Sequence, residues 1–197
     1  IKIAAHWSLI AGIDFGINAK YALSPDVNWT SALDASYLLK YKLNDGGSKL
    51  RYDGTLSPCN ITSCSGAPKL RANWQNTLTY KDTSVTVTAY YTKGVDTAQI
   101  DYGMTKGDCV GNVEDGLISY EDGTPVQCRT KDIWNVDLTI NQKINDHFTL
   151  YANVLNVFDI KAPVDVNAAY GIFNYNPAFA GPNIIGRFMR VGAKIDF

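Results

Sequence analysis

The chain has 197 residues, of which 46% are apolar, 12% aromatic and only 19% charged, and its formal net charge is -1. This near-neutral balance leaves no basic face for a phosphate backbone, so it argues against nucleic acid as a partner. No run approaches the roughly 20 continuous apolar residues of a membrane-spanning helix, whereas many aromatics with few charges are typical of transmembrane β-strands.

The first strand is predicted over residues 12–21, where apolar and polar side chains alternate. Residues 1–11 have no clean period and are predicted to be a loop or a strand stub. The chain opens on Ile1-Lys2-Ile3 without the basic region of a signal peptide, so we expect a mature product or a fragment. A short turn over residues 24–28 leads to a second alternating run, 33–43.

Five further runs follow, and four of them show the same clear alternation. Residues 70–80 and 85–92 are joined by a tight turn, and residues 134–141 turn back near Asn145. In the sixth run, 149–158, Leu155 and Val157 fall on the same side of the predicted strand as Tyr151 and Asn153, so its apolar face stays unassigned. The last run, 187–197, carries apolar residues at every second position back from Phe197, and a soluble edge strand is the alternative interpretation.

Short turns and long loops alternate strictly along these runs. Three long polar loops separate the hairpins, and this asymmetry is the rule for outer-membrane barrels, whose periplasmic turns are short and extracellular loops long. About seven strands is an odd number, whereas a barrel must close in lipid. Either residues 1–11 supply an eighth strand or the chain is part of a larger barrel, and we favour the second.

Four cysteines fall in two of these loops: Cys59 and Cys64 in the first, Cys109 and Cys128 in the second. Four cysteines can pair in three ways. Zinc is the competing interpretation, but the spacing is not that of a zinc knuckle and no histidine is near. We therefore predict two disulfides that staple loops in an oxidising compartment.

A family resemblance is carried by residues 150–159, of sequence LYANVLNVFD, with Tyr175-Asn176-Pro177 and a final strand that stops at Phe197. This stretch resembles the C-terminal end of TonB-dependent outer-membrane receptors. The specific part is the Asn-x-Phe-Asp ending at residues 156–159. The stretch Gly12-Ile13-Asp14-Phe15 also resembles the start of one of the family's barrel strands.

The resemblance implies an all-β fold, an antiparallel transmembrane barrel of about 22 strands with a plugged lumen. Residues 12–197 would be its C-terminal strands, residues 1–11 an extracellular loop or strand stub, and Phe197 the barrel assembly signal. The implied location is the outer membrane of a Gram-negative bacterium, crossed many times.

The implied partners begin with a companion chain that carries the plug and the N-terminal barrel strands. A TonB-type energy transducer would act through that plug. Outer-membrane lipids would surround the wall, and a surface lipoprotein or another membrane protein would be a further partner.

The implied function is energised uptake of a scarce ligand, either a siderophore, a sugar or an aromatic compound. The alternatives are a small passive or structural barrel formed by this chain alone, and then a soluble sugar-binding sandwich. No catalytic set, metal site or cofactor is predicted, so the protein is not expected to be an enzyme. The acidic stretch 108–115 does not match the EF-hand spacing and is interpreted as a solvated loop.

Candidate ligand contacts are aromatic side chains in the last long loop, because rigid rings on a loop stack well on sugars, aromatic ligands or siderophores. These rings could equally pack on one another. The candidates are Tyr170, Phe173, Tyr175 and Phe179. Basic side chains are predicted to face the lumen and to pair with acids of the wall: Lys40, Lys42, Arg71, Arg190 and Lys194.

Overall fold

The computed structural model describes residues 6–45, 49–56, 66–98, 100–162 and 185–196. Within these ranges the chain is built mainly of β-strands, with one 3-10 turn (Ile100–Tyr102) and one short helix, α1 (Asp108–Glu114). The strands are β1 (His6–Ser24), β2 (Val27–Asp45), β3 (Lys49–Arg51), β4 (Leu70–Tyr80), β5 (Thr83–Thr92), β6 (Ile133–Asn145), β7 (Phe148–Leu155) and β8 (Phe188–Ile195). No helix in the described ranges is long and apolar enough to cross a bilayer.

All strands belong to one antiparallel sheet. Its order is β1-β2-β4-β5-β6-β7-β8, and the three-residue β3 pairs only with the far end of β2. Every long strand therefore lies beside its neighbours in sequence, and the sheet is open, since β1 and β8 pair with no further strand of the described chain. The prediction of an all-β, antiparallel fold with about seven strands is confirmed.

One face of the sheet is apolar and continuous across the strands. Residues that lie directly opposite each other in a ladder share a face. One such row consists of Ile17, Leu33, Trp74, Ala89 and Val136. A second consists of Tyr21, Trp29, Leu78, Val85, Ile140, Ala152 and Val191. We call this side the apolar face; Ile17 and Trp74 on it are 54% and 51% exposed.

The other side of the sheet, the polar face, carries the intervening residues. One row there consists of Gly16, Asp34, Asn73, Tyr90 and Asn135. Another consists of Lys20, Thr30, Thr77, Thr86, Thr139, Asn153 and Arg190. The predicted alternation is thus a property of the whole sheet, with apolar and polar rows segregated to opposite sides.

The register also assigns the faces of β7, which the sequence left open. Leu150, Ala152 and Val154 lie opposite residues of β8 that belong to the apolar face. The strand ends at Leu155 because Asn156 adopts a left-handed backbone conformation, with φ 53°. The Val157 amide still donates to the Val136 carbonyl of β6 at 2.8 Å, but the left-handed residue before it interrupts the alternation, so the parity of Val157 does not report a face of β7. Leu155 lies opposite Phe188 on the polar face.

A β-bulge in β2 changes the predicted faces. Gly12 lies opposite Leu38, but Ala11 lies opposite Lys40, so Leu39 has no partner in the ladder. Because side chains alternate with period two, one extra residue moves every later side chain to the other face. The predicted inward direction of Lys40 and Lys42 is therefore wrong. They lie opposite Ala11 and Leu9 on the side of the apolar face, while Tyr41 and Leu43 lie on the side of the polar face.

The first hairpin is much longer than its neighbours. β1 and β2 have 19 residues each, whereas β4 and β5 have 11 and 10. β4 pairs with β2 only over residues 27–37, so the hairpin beyond Tyr37 projects past the sheet. The first strand begins at His6, earlier than the predicted start at residue 12.

The projecting end of the hairpin is also the end at which all the long loops lie. The turns at the opposite end are two residues each, at 25–26, 81–82 and 146–147, so the predicted alternation of short turns and long loops is confirmed.

Candidate ligand-binding end of the sheet

The two long loops that follow β2 and β5 fold together above the sheet. We call residues 52–56, 66–69, 93–98 and 128–132 the loop package. The amide of Leu56 donates to the Asp96 carbonyl at 2.9 Å, and the amide of Asp96 donates back to Gly54 at 2.9 Å. On the other side, the amide of Thr130 donates to the Val95 carbonyl at 2.9 Å. Segments from separate loops therefore pair like short strands.

The loop package has a buried interior of its own. Tyr52, Leu56, Val95 and Thr130 are each no more than 2% exposed. The Tyr52 ring lies 5.4 Å from the ring of Tyr41, one of the residues that the bulge turns to the polar side of β2. The bulge thus supplies the hairpin's contact with the loop package.

Gly94 marks the closest approach between the segments. A Cβ atom at this position would lie 2.0 Å from the Thr130 carbonyl oxygen, far inside van der Waals contact. Only glycine lets the two backbones pass at this distance. Residue 94 therefore constrains the geometry of the loop package.

A buried carboxylate, Asp53, joins the loop package to the sheet. Its side chain is 1% exposed and accepts hydrogen bonds from Arg51 at 2.6 and 3.0 Å, and Lys69 lies 3.1 Å away. The Tyr41 amide donates to it at 3.3 Å. Burial alone would raise the pKa of Asp53, but the hydrogen bonds from Arg51, Lys69 and the Tyr41 amide outweigh it and lower the pKa from 3.8 to about 2.

One predicted disulfide is present. Cys109, in α1, is bonded to Cys128, whose carbonyl accepts a hydrogen bond from the Thr97 amide. The bridge ties α1 to the loop package. The other two cysteines, Cys59 and Cys64, lie outside the described residues.

A groove runs along the polar face below the loop package. Its lower part, about 510 Å³, is lined by Asp14, Asp34, Ser36, Arg71, Asn73 and Tyr90. Its upper part, about 450 Å³, continues to Tyr41 and is bordered by residues 66–68 of the loop package. The groove thus presents both hydrogen-bond donors and acceptors, and its upper part reaches the loop package.

The predicted pairing of basic residues with acids of the wall holds for one of them. Lys194 pairs with Asp196 at 2.9 Å. Arg190 instead lies over the Tyr151 ring, 5.5 Å from its centroid. Arg71 makes no ion pair with any residue that the structure describes, and it lines both parts of the groove.

The Asn-x-Phe-Asp motif forms a clamp at the base of the last long loop. Asn156 is fully buried, and its amide side chain both donates to and accepts from the backbone of Ile160, at 2.9 and 2.8 Å. The backbone amide of Asn156 donates to the Asp137 carboxylate of β6 at 2.8 Å. Asp159 then accepts from the backbone amide of Arg187, at the far end of the loop, at 2.8 Å.

The clamp places the two ends of this loop next to each other. Gly186, with φ 84°, allows the approach, because a Cβ there would lie 2.6 Å from the Asp159 carboxylate. Hydrogen bonds from Lys161 and from the Arg187 amide hold the pKa of Asp159 below its ordinary value. The motif therefore has a local structural role that its sequence alone did not reveal.

The predicted ligand contacts lie on the part of the loop between these ends. Tyr170, Phe173, Tyr175 and Phe179 fall outside the described residues, as does Phe197. Sequence reasoning missed Asp53 and its basic partners. The Arg51–Asp53 pair is two residues apart in sequence, so a local pattern could have suggested it. Lys69 is separated from Asp53 by a loop, and no sequence pattern links the two residues.

An open antiparallel sheet with an apolar face, a polar face and long loops at one end has the fold of part of a TonB-dependent receptor barrel. The structure matches a mutant of the ferric enterobactin receptor PfeA from Pseudomonas aeruginosa with a TM-score of 0.52 and 13% identity. The match covers 96% of this chain and 22% of that receptor, so the chain spans about a fifth of its length.

A second similar structure is the closed form of the ferric-catecholate import receptor Fiu from E. coli K12. It has a TM-score of 0.41 and 15% identity, over 94% of this chain and 27% of that one. Neither a protein-family model nor a curated protein matches the sequence. What the comparison with PfeA establishes is the fold.

Proposed function

We propose that the chain forms part of the wall and extracellular loops of an outer-membrane receptor that takes up a scarce ligand with energy supplied through a TonB-type transducer. The ligand is a siderophore, a sugar or an aromatic compound. The observation that carries the proposal is the segregation of the sheet into an apolar and a polar face with both edges open.

The open edges argue for a larger barrel. In hydrocarbon every backbone N–H and C=O needs a partner, and an unpaired strand edge leaves a whole row of them unsatisfied. β1 and β8 therefore require neighbouring strands, which we assign to a companion chain or to a further part of the same polypeptide. Residues 12–197 then belong to the wall, with residues 1–11 as an extracellular extension.

The faces argue for the orientation of the wall. The rows that contain Ile17 and Tyr21 would contact lipid, since large apolar side chains half exposed to water are costly. The polar face would line the lumen, where the groove with Asp14, Asp34 and Arg71 meets a plug. The long-loop end would face outward and bind the ligand with the loop package and the aromatic loop residues Tyr170, Phe173, Tyr175 and Phe179.

Uptake by the complete receptor tests this proposal. Gram-negative cells that express it are supplied with enterobactin loaded with radioactive iron, with a radiolabelled malto-oligosaccharide, or with a radiolabelled aromatic acid. We expect saturable uptake of one probe that a protonophore abolishes. Uptake of a probe that persists without energy contradicts the transport mechanism.

A reconstitution experiment tests the alternative of a passive barrel. The chain alone is folded into liposomes, and swelling in an uncharged sugar is measured. Swelling by this chain without a companion, together with a purified particle that contains a single polypeptide of 21.6 kDa, favours the small barrel and refutes the receptor.

A further inference from the structure

The bulge in β2 gathers basic side chains on one side of the projecting hairpin. Lys40 and Lys42 lie on the side of the apolar face, and Arg51 of β3 lies directly opposite Lys42. Lys49 lies on the same side, two residues before Arg51. The Cβ atoms of directly opposite residues are about 4.5–5.5 Å apart, and residues two positions apart along one strand are about 7 Å apart. These four side chains therefore form one compact group, which we call the basic cluster.

The basic cluster is not neutralised within the described part of the chain. Asp53 is shared between Arg51 at 2.6 Å and Lys69 at 3.1 Å, so this one negative charge lies between two positive ones. Lys40, Lys42 and Lys49 make no ion pair with any residue that the structure describes. The cluster therefore keeps a strong positive charge, which an anion from outside this chain can balance.

Arg51 is held in place with donors to spare. Its Nε and Nη2 donate to the two oxygens of Asp53, at 2.6 and 3.0 Å, and the Asp53 side chain is only 1% exposed. A guanidinium group has five N–H donors, so three are left, and the Arg51 side chain is 57% exposed. A guanidinium that is already oriented loses little conformational entropy when it binds a second anion, and its geometry suits phosphate.

The height of the basic cluster on the wall follows from the register. Lys40 lies opposite Ala11, which is ten residues from Tyr21 at the short-turn end of β1. Ten residues span about 33 Å along a strand, or about 25 Å of height at the usual barrel tilt, and this is the height of the apolar band of an outer-membrane barrel. On the same side, Trp7 and Leu9 are 41% and 43% exposed, and Leu9 lies opposite Lys42. The cluster thus lies at the outer boundary of the hydrocarbon, with apolar side chains beside it.

The rest of the receptor does not cover this side of the hairpin. Further strands extend the sheet sideways from β1 and β8, and a plug lies in the lumen, on the side of the polar face. The loops fold onto that same side, where Tyr41 and Leu43 pack against Tyr52, Ala98 and Ile100. The basic cluster lies on the opposite side, above the rows that contact lipid, so its neighbours are the headgroups of the outer leaflet.

We propose that the basic cluster binds the phosphate groups of the outer-leaflet glycolipid, lipopolysaccharide, an inference that rests on the outer-membrane location of the proposed function. The remaining donors of Arg51 and the ammonium groups of Lys40 and Lys42 bind the phosphates, while Lys49 adds to the positive field. The acyl chains lie along the apolar rows below. The site holds one lipid against the outside of the wall and is separate from ligand uptake through the barrel.

Lipid binding by the complete receptor tests the proposal. The receptor is purified in detergent, freed of bound lipid and titrated with bisphosphorylated lipid A, and the bound lipid is counted by native mass spectrometry. K40Q/K42Q should bind lipid A about thirtyfold more weakly than wild type, since each cation near a membrane surface contributes about fivefold. K40R/K42R should bind like wild type. K20Q/K81Q is the matched control, because it removes two exposed lysines near the short-turn end, and it should also bind like wild type.

Two further probes identify the group that is bound. Lipid A without its phosphates should bind wild type about as weakly as lipid A binds K40Q/K42Q, and inorganic phosphate should displace lipid A no better than chloride at equal ionic strength. Equal affinities of K40Q/K42Q and K20Q/K81Q, equal binding of the two lipids, or specific displacement by inorganic phosphate overturns the proposal. Resistance to unfolding by SDS at room temperature shows that each variant is folded. Uptake is measured in parallel: uptake without lipid A binding refutes this inference alone, and lipid A binding without uptake refutes only the transport function.

Discussion

Replacing Asp53 with Asn should loosen the loop package without unfolding the sheet. The carboxylate is 1% exposed and accepts hydrogen bonds from Arg51 and the Tyr41 amide, with Lys69 at 3.1 Å. Asn keeps the shape of the side chain but removes its charge. Arg51 and Lys69 then face each other without the group that balances them.

The pKa of Asp53 gives the size of the effect. A fall from 3.8 to about 2 corresponds to about 2 kcal/mol, since one pKa step is worth about 1.4 kcal/mol. Because the folded pKa is lowered, this contribution is fully present above pH 4 and is lost as the pH falls through about 2. We expect the substitution to increase the equilibrium constant for local opening of the loop package about thirtyfold near neutral pH. The difference between the variant and the wild type should vanish as the pH falls to about 2.

Hydrogen exchange of the protein in detergent micelles measures this opening. The informative amides are those of Thr55, Leu56 and Asp96, which are bonded within the loop package. Glu121→Gln is the matched control, since Glu121 is an exposed loop carboxylate, and its exchange should not change. Equal protection of these amides in wild type and Asp53→Asn, or wild-type protection that is flat between pH 5 and pH 2, refutes the reasoning.

Three further substitutions test other features of the fold. Val87→Arg places a charge on the apolar face and should lower the free energy of unfolding in lipid vesicles by about 2–4 kcal/mol. Thr88→Arg, on the polar face, is the control and should lower it by less than about 1 kcal/mol. Equal losses for the two variants contradict the assignment of faces. Asn156→Ala should lower the free energy of unfolding in denaturant by about 2–3 kcal/mol. Asn156→Gly should recover about 1 kcal/mol of this loss, because glycine tolerates the positive φ of residue 156. A Gly variant no more stable than the Ala variant argues against the backbone explanation. Gly94→Ala should push the loop segments apart, lower the free energy of unfolding by about 1–3 kcal/mol and lower the melting temperature by a few degrees. An unchanged melting temperature would show that the contact with Thr130 can relax.

The strands and turns could be predicted because their signals are local. Alternation over residues 70–80 and 85–92 fixes both the strands and their faces, and the tight turn at residues 81–82 fixes their register. β7 was harder, since the parity of Leu155 and Val157 conflicts with that of Leu150. For Val157 the conflict disappears once Asn156 is known to end the strand, and this depends on hydrogen bonds to Ile160 and Asp137 that no local pattern shows. Leu155 is still paired and lies opposite Phe188 on the polar face.

The bulge and the loop package could not be predicted for a different reason. Residues 33–43 are apolar at every odd position, so a surplus residue at Leu39 leaves the pattern apparently unbroken. Only the pairing with β1 reveals it. The Asp53 site unites Arg51 with Lys69 across a loop, and such a contact follows from packing between segments and not from periodicity. Of the predicted site residues, the structure brings Cys109 and Cys128 together, and the aromatic candidates remain predictions.

Because Leu39 is an extra residue in β2, one strand with a single alternating sequence pattern can present its odd-numbered side chains to different faces on the two sides of the bulge. Before Leu39, the odd-numbered side chains of β2 lie on the apolar face. After it, odd-numbered Tyr41 lies on the side of the polar face, where its ring packs against Tyr52 of the loop package. A strand divided in this way lets the loop-bearing end of the sheet change its sequence during evolution, while the fully paired part keeps its separation of apolar and polar rows.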